Sequence, residues 1–221
     1  MNFISSLEKA FIENSNADNA VAMSKYMKNN FHFYGIKTDN RRQILKAIWA
    51  ENQKEVTENT REIALTLFSK NERELQYCAL EILIKNLKNN YIKEDILIIE
   101  KLIITKSWWD TVDVIAKFIL GDYLRKFPSE TNTVIFRFSN SENMWLNRSA
   151  ILFQLGYKEV TDFELLKSIC EKHKNSTEFF IQKAIGWALR EYAKINPLAV
   201  QDFVHNTNLK KLSSKEALKN I

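Results

Sequence analysis

Amphipathic helical patterns open near Glu72, Trp108, Met144 and Glu178, at steps of 36, 36 and 34 residues, with one further helix in each interval. A period of this length, with two helices per unit and no strand, is the signature of an α-solenoid of HEAT-like type. Each unit in such an array buries its apolar face only by stacking on the next. Four glycines and two prolines in 221 residues leave little material for hairpin turns, whereas Leu, Ile, Ala, Lys and Glu abound. The expected fold class is therefore all-α, with residues 1–221 forming a single domain.

Periodicity places helices over Phe3 to Ile12, Ala17 to Met27 and onward from Thr38, with a turn at Phe33 to Lys37 that contains Gly35. Further helices are expected over Thr60 to Phe68, Glu72 to Leu87, Glu94 to Ile104, Trp108 to Lys126, Glu130 to Phe138 and Met144 to Leu155. Phe163 to His173, Glu178 to Ile195 and Leu198 to His205 complete the set. No segment reaches membrane-spanning length, and Met1 to Phe11 lacks the apolar run of a signal peptide. Cys78 and Cys170 are far apart in helical contexts, which argues against a disulfide framework and for a reducing, cytoplasmic location. The net charge of +5 suits a polyanionic partner, and a general surface excess of lysine would give the same total.

Ser107 to Asp113, read Ser-Trp-Trp-Asp-Thr-Val-Asp, sits at one of these helix starts. Ser107 has the character of an N-cap and Asp110 completes a capping-box-like pattern. Trp109 and Asp113, four apart, project from one helical face, while Trp108, Val112 and Ile115 line another that suits the core. Trp145 and Trp49 likewise fall in apolar stripes. Asp113, Arg148 and Lys183 are spaced 35 and 35 residues apart, so equivalent helices present them on one surface, with Trp187 four beyond Lys183.

Nucleotide-binding glycine loops, the GxSxG elbow and metal-ligand spacings around His32, His173 and His205 are missing from the sequence, so neither metal nor cofactor is expected. A carboxylate beside a phosphate backbone is repelled by it, and is costly unless it serves chemistry. Asp113 could stabilise the oxocarbenium-like charge at a sugar C1′ and orient water. A cationic alkylated purine leaves as a neutral base and needs no general acid. Trp109 and Trp187 could hold the sugar and cationic base, and Arg148 a flanking phosphate. Other readings stay open: Asp113 as a helix-dipole residue, Arg148 as the ion-pair partner of an acid on the next repeat, and Lys210 and Lys211 as a solvated face.

Three ordered motifs resemble the HEAT-like-repeat alkylpurine DNA glycosylases of AlkD type: Lys106-Ser-Trp-Trp-Asp-Thr-Val-Asp113, Trp145-Leu-Asn-Arg-Ser-Ala-Ile-Leu152 and Phe179-Phe-Ile-Gln-Lys-Ala-Ile-Gly-Trp-Ala-Leu-Arg-Glu-Tyr192. The N-terminal Tyr26-Met-Lys-Asn-Asn-Phe and Phe33-Tyr-Gly-Ile-Lys-Thr38, followed by Arg41 and Arg42, match as well. This resemblance implies a right-handed superhelix with a concave DNA-binding groove, and a monomeric, monofunctional glycosylase that removes 3-methyladenine and 7-methylguanine from duplex DNA. It implies Asp113 as the catalytic carboxylate, Trp109 and Trp187 as aromatic walls, and Arg148, Lys183, Tyr26, Lys37, Arg41, Arg42, Lys106 and Arg190 as DNA contacts. Leu146 and Asn147 stand where many relatives carry basic residues, and Lys37 where a polar uncharged residue is found, which implies a redistributed phosphate grip. A noncatalytic damage-binding paralogue and a HEAT-type protein scaffold are the competing functions.

Overall fold

The computed structural model describes residues 2–219, which divide into two compact units, one up to residue 91 and the other from residue 92 onward. In the first unit α1 spans Phe3–Glu13, α2 Ala17–Tyr26, α3 Thr38–Glu51, α4 Gln53–Glu58, α5 Thr60–Ser69 and α6 Arg73–Leu87. The second holds α7 Asp95–Ile104, α8 Trp109–Val114, α9 Gly121–Lys126, α10 Thr131–Ser139, α11 Met144–Leu152, α12 Phe163–His173, α13 Phe179–Ala193, α14 Pro197–Asn206 and α15 Lys211–Ala217. No named strand occurs among the described residues; the one β contact is an isolated bridge between His32 and Glu72. The chain is thus all-α, and α6, α8, α11 and α13 open at Arg73, Trp109, Met144 and Phe179, which keeps the HEAT-like spacing close to 35 residues.

Local chemistry explains these elements. In α1 the stripe Phe3, Leu7 and Phe11, spaced four apart, is fully buried, each side chain contributing about 2 kcal/mol of apolar burial. Asn2 caps it by accepting from the Ser5 amide at 2.9 Å. Asn16 at α2, Asn143 at α11, Asp162 at α12 and Asn196 at α14 cap in the same way. In the second unit α10 packs on α11, α11 on α13, and α13 on α15.

Three local expectations need correction. Ser107 does not cap a helix: its Oγ donates to the Ile103 carbonyl at 2.6 Å, and Trp108 takes the N-cap position without a side-chain bond. The capping box with Asp110 is therefore not formed. The expected continuous helix from Trp108 to Lys126 is interrupted at Ile115–Leu120 by a π-helical segment, which begins two residues after Asp113. The third is that α4 and α15 are present although the sequence pattern left both as connections.

His173 is a structural histidine. Burial, with help from the neighbouring Lys172, pulls its pKa below the ordinary value, and its Nε2 lies 2.9 Å from Ser139 Oγ. The unfolded chain therefore binds a proton here at higher pH than the native one. This contribution to stability is complete above about pH 6.5 and is lost as pH falls towards the lower folded value. Thermal midpoints measured between pH 7.5 and 5 should fall less steeply in His173→Gln than in the parent; parallel curves would refute the assignment.

Candidate functional site

Two of the motifs meet in one largely buried ion pair. Arg148 in α11 meets Asp113 in α8 through two parallel bonds, Nε to Oδ1 at 2.7 Å and Nη2 to Oδ2 at 2.8 Å. Its Nη1 donates to the Phe180 carbonyl at the start of α13. The arginine side chain is 5% exposed and the aspartate side chain 14%. Burial raises the Asp113 pKa, while the Arg148 hydrogen bonds and charge pull it back down. Arg148 does pair with an acid, but not with one on the next repeat as expected: its partner is Asp113, on the preceding repeat.

An aromatic cluster lies beside this pair, with the Phe180 ring centroid 5.9 Å from the Arg148 guanidinium carbon. Trp108 and Trp145 lie 5.8 Å apart between centroids, and Phe180 packs against both at 5.2 and 5.1 Å. Each such contact adds about 0.5–1.5 kcal/mol beyond area burial. Trp108 thus packs as its apolar stripe requires. Phe180 was not singled out in the sequence, yet its ring braces the tryptophans and its carbonyl holds Arg148. Trp109 opens α8 one turn before Asp113, half-buried, and Trp187 lies half-buried in the middle of α13. Trp187 also lines an open cleft of about 730 Å³ with Arg190, Lys194, Pro197, Leu198 and Lys219.

The remaining candidates fall into groups. Lys183 and Arg190, both in α13, bind the two oxygens of Glu216 from α15, at 2.9 and 2.8 Å. In the first unit Arg41 and Arg42 share one oxygen of Glu81, at 2.7 and 3.1 Å. Arg41 is only 5% exposed and stacks over Tyr77, so as placed it braces Glu81 from inside, whereas Arg42 is open to solvent. Tyr26, highly exposed, and Lys37 line a cleft of about 300 Å³ with Met23, Phe33 and Tyr77. Lys106 precedes the motif in a left-handed conformation, φ 46°. Glu81 and Glu216, which hold four of these cations, carry no sequence signal because each contact spans 26 to 40 residues. Among the described residues no group of three His, Cys, Asp or Glu side chains is placed to hold a metal ion, and no helix is long and apolar enough to cross a membrane.

Comparison with known proteins agrees with this fold. The family model for DNA alkylation repair enzymes matches residues 7–221, and the chain belongs to that family. A solved structure described as a predicted DNA alkylation repair enzyme from Enterococcus faecalis is 33% identical and superposes with a TM-score of 0.86. That match covers 94% of this chain and 96% of the other. AlkD2 from Streptococcus mutans is 18% identical, with a TM-score of 0.62 over 84% of this chain and 91% of its own. The protein smu.31 from Streptococcus mutans UA159 is 16% identical, with a TM-score of 0.60 over 82% and 97%. These two share the fold. No curated protein sequence matches the chain.

Proposed function

We propose that the protein is a monofunctional DNA glycosylase that hydrolyses the N-glycosidic bond of cationic alkylpurines, such as 3-methyladenine and 7-methylguanine, in duplex DNA. The observation that carries this reading is the doubly bonded Asp113–Arg148 pair. An ionised carboxylate offers about four acceptor positions, and Arg148 takes two. The others remain for a sugar that develops positive charge at C1′ and for the water that attacks it. Because Arg148 is itself tied to Phe180, the carboxylate is oriented before substrate arrives, which is the condition for electrostatic catalysis without reorganisation. When the glycosidic bond breaks, its electron pair passes to the cationic purine, which leaves as a neutral base while the positive charge passes to the sugar, so a second acidic group is unnecessary.

Trp109 and Trp187 supply aromatic faces for the sugar and the cationic base. Arg148 is chiefly a positioning residue, with two of its five N–H groups left over for a flanking phosphate. Lys183, Arg190 and Lys106 in the second unit, and Tyr26, Lys37 and Arg42 with Arg41 behind them in the first, contribute contacts to the DNA backbone. Residues 1–221 act as one HEAT-like-repeat domain, as a cytoplasmic monomer, in base excision repair and without metal or cofactor. The test is release of 3-methyladenine or 7-methylguanine from alkylated duplex DNA in the presence of a chelator. Salt-sensitive duplex binding without base release would sink the catalytic reading, and failure to bind duplex at low salt would sink the DNA reading with it.

A further inference from the structure

Gly186 lies between Lys183 and Arg190 on one face of α13, three residues after the first and four before the second. Helix α15 is seated directly on it: a Cβ added to Gly186 would meet Glu216 Cβ at 2.4 Å and the Ser213 carbonyl at 2.9 Å. Ser213 Oγ also donates to the Gln182 carbonyl at 3.0 Å, which fixes the rotation of α15. The side chain of Glu216 therefore rises between the two cations. Its Oε1 takes Lys183 Nζ at 2.9 Å and its Oε2 takes Arg190 Nη1 at 2.8 Å. An anion held jointly by a lysine and an arginine is the arrangement a phosphodiester oxygen pair would adopt. The Lys183 and Arg190 contacts also hold the Glu216 carboxyl below the usual carboxylate range, so it stays charged at neutral pH.

We infer that Glu216 is an internal counter-anion that occupies the Lys183–Arg190 site and competes with DNA phosphate for it, restraining the grip of α13 on undamaged duplex. This rests on the DNA-binding reading above. With Glu216 in place the two cations add one net positive charge to the site instead of two. Phosphate gains them only by displacing a tethered carboxylate whose helix is already packed in place. The side chains of Lys183 and Arg190 are 37% and 26% exposed, so an approaching strand reaches them from solvent without unseating α15.

The experiment is a salt titration of binding to an undamaged duplex, by fluorescence anisotropy, for the parent, Glu216→Gln and Glu216→Gln/Lys183→Gln. Glu216→Gln is expected to bind about three- to tenfold tighter at low salt. Its plot of log affinity against log salt should be steeper by about 0.9 for each cation released. The double variant should lose most of that gain. Should Glu216→Gln fail to fold, Glu216→Asp is read in its place, because its shorter side chain keeps the charge but cannot span both cations; its expected slope lies between those of parent and glutamine. A folded Glu216→Gln with unchanged slope and affinity overturns the inference while leaving the DNA reading intact. A parent that does not bind duplex at low salt overturns both.

Discussion

Asp113→Asn is expected to lower single-turnover release of 3-methyladenine from duplex DNA by at least about a hundredfold, with duplex affinity changed far less. Two effects add in the same direction. The amide carries no charge to set against the developing cation at C1′. It also cannot accept both Arg148 bonds, since whichever way it is turned an N–H group faces either Nε or Nη2, now 2.7 and 2.8 Å from the carboxylate oxygens. Arg148→Met, read at saturating enzyme so that the lost phosphate contact does not enter the rate, separates the two effects, because it keeps the carboxylate and removes the group that orients it. That variant should lose less activity than Asp113→Asn, and it leaves a largely buried charge unpaired, which costs about 3 kcal/mol of stability.

The pH profile supplies a second readout. Asp113 must be ionised to act, and burial raises its pKa above the ordinary aspartate value while Arg148 and its hydrogen bonds oppose the rise. Activity should therefore be full at neutral pH and fall as pH drops through that raised pKa. In Arg148→Met the same acid limb should move to higher pH. An acid limb that stays in place, or full base release by Asp113→Asn, would remove Asp113 from the chemistry.

The fold was legible in the sequence because its cause is periodic. Apolar positions such as Phe3, Leu7 and Phe11 recur at helical spacing, and the near-35-residue step survives from α6 to α13. That step also put Asp113 and Arg148 on equivalent helices of neighbouring repeats, and the two side chains are in contact there, though largely buried and not displayed on an open surface. Interactions with no periodic trace were lost. Ser107 followed by Asp110 reads as a cap, yet the hydroxyl turns back to Ile103, a carbonyl one helical turn earlier, and the local pattern cannot separate the two uses. Ile115 to Leu120 is an ordinary apolar helix in composition, so nothing in it announces a π turn. Lys210 and Lys211 are exposed as expected, but their charge hid the helix they introduce, and with it Glu216. The cations Arg41, Arg42, Lys183 and Arg190 were recognisable by type, whereas the carboxylates that bind them were not, since tertiary packing alone selects one glutamate among many.

Gly35→Ala is expected to destabilise the protein by about 4 kcal/mol, combining a left-handed backbone with a steric clash. Gly35 has φ +84°, a conformation that disfavours any Cβ. A Cβ placed there would lie 2.0 Å from the Asn16 carbonyl oxygen and 2.7 Å from the Ala20 amide nitrogen, backbone atoms that α2 holds in place. The loop cannot shift to relieve this, because its consecutive amides at Tyr34, Gly35 and Ile36 all donate to the buried Glu74 carboxylate, at 3.2, 2.9 and 3.1 Å. The Asn16 amide closes the same loop by donating to the Tyr34 carbonyl at 2.8 Å. A loss of this size should lower the thermal midpoint by about 8–16 °C for a chain of this length. Glu74→Gln, which replaces one accepting oxygen by a donor, should cost about 1–3 kcal/mol. The pair should be less than additive, since each substitution already loosens what the other acts on. A midpoint for Gly35→Ala within about 2 °C of the parent would mean that α2 and the loop can separate freely, and that the Glu74 clamp does not set the position of Lys37 and the start of α3.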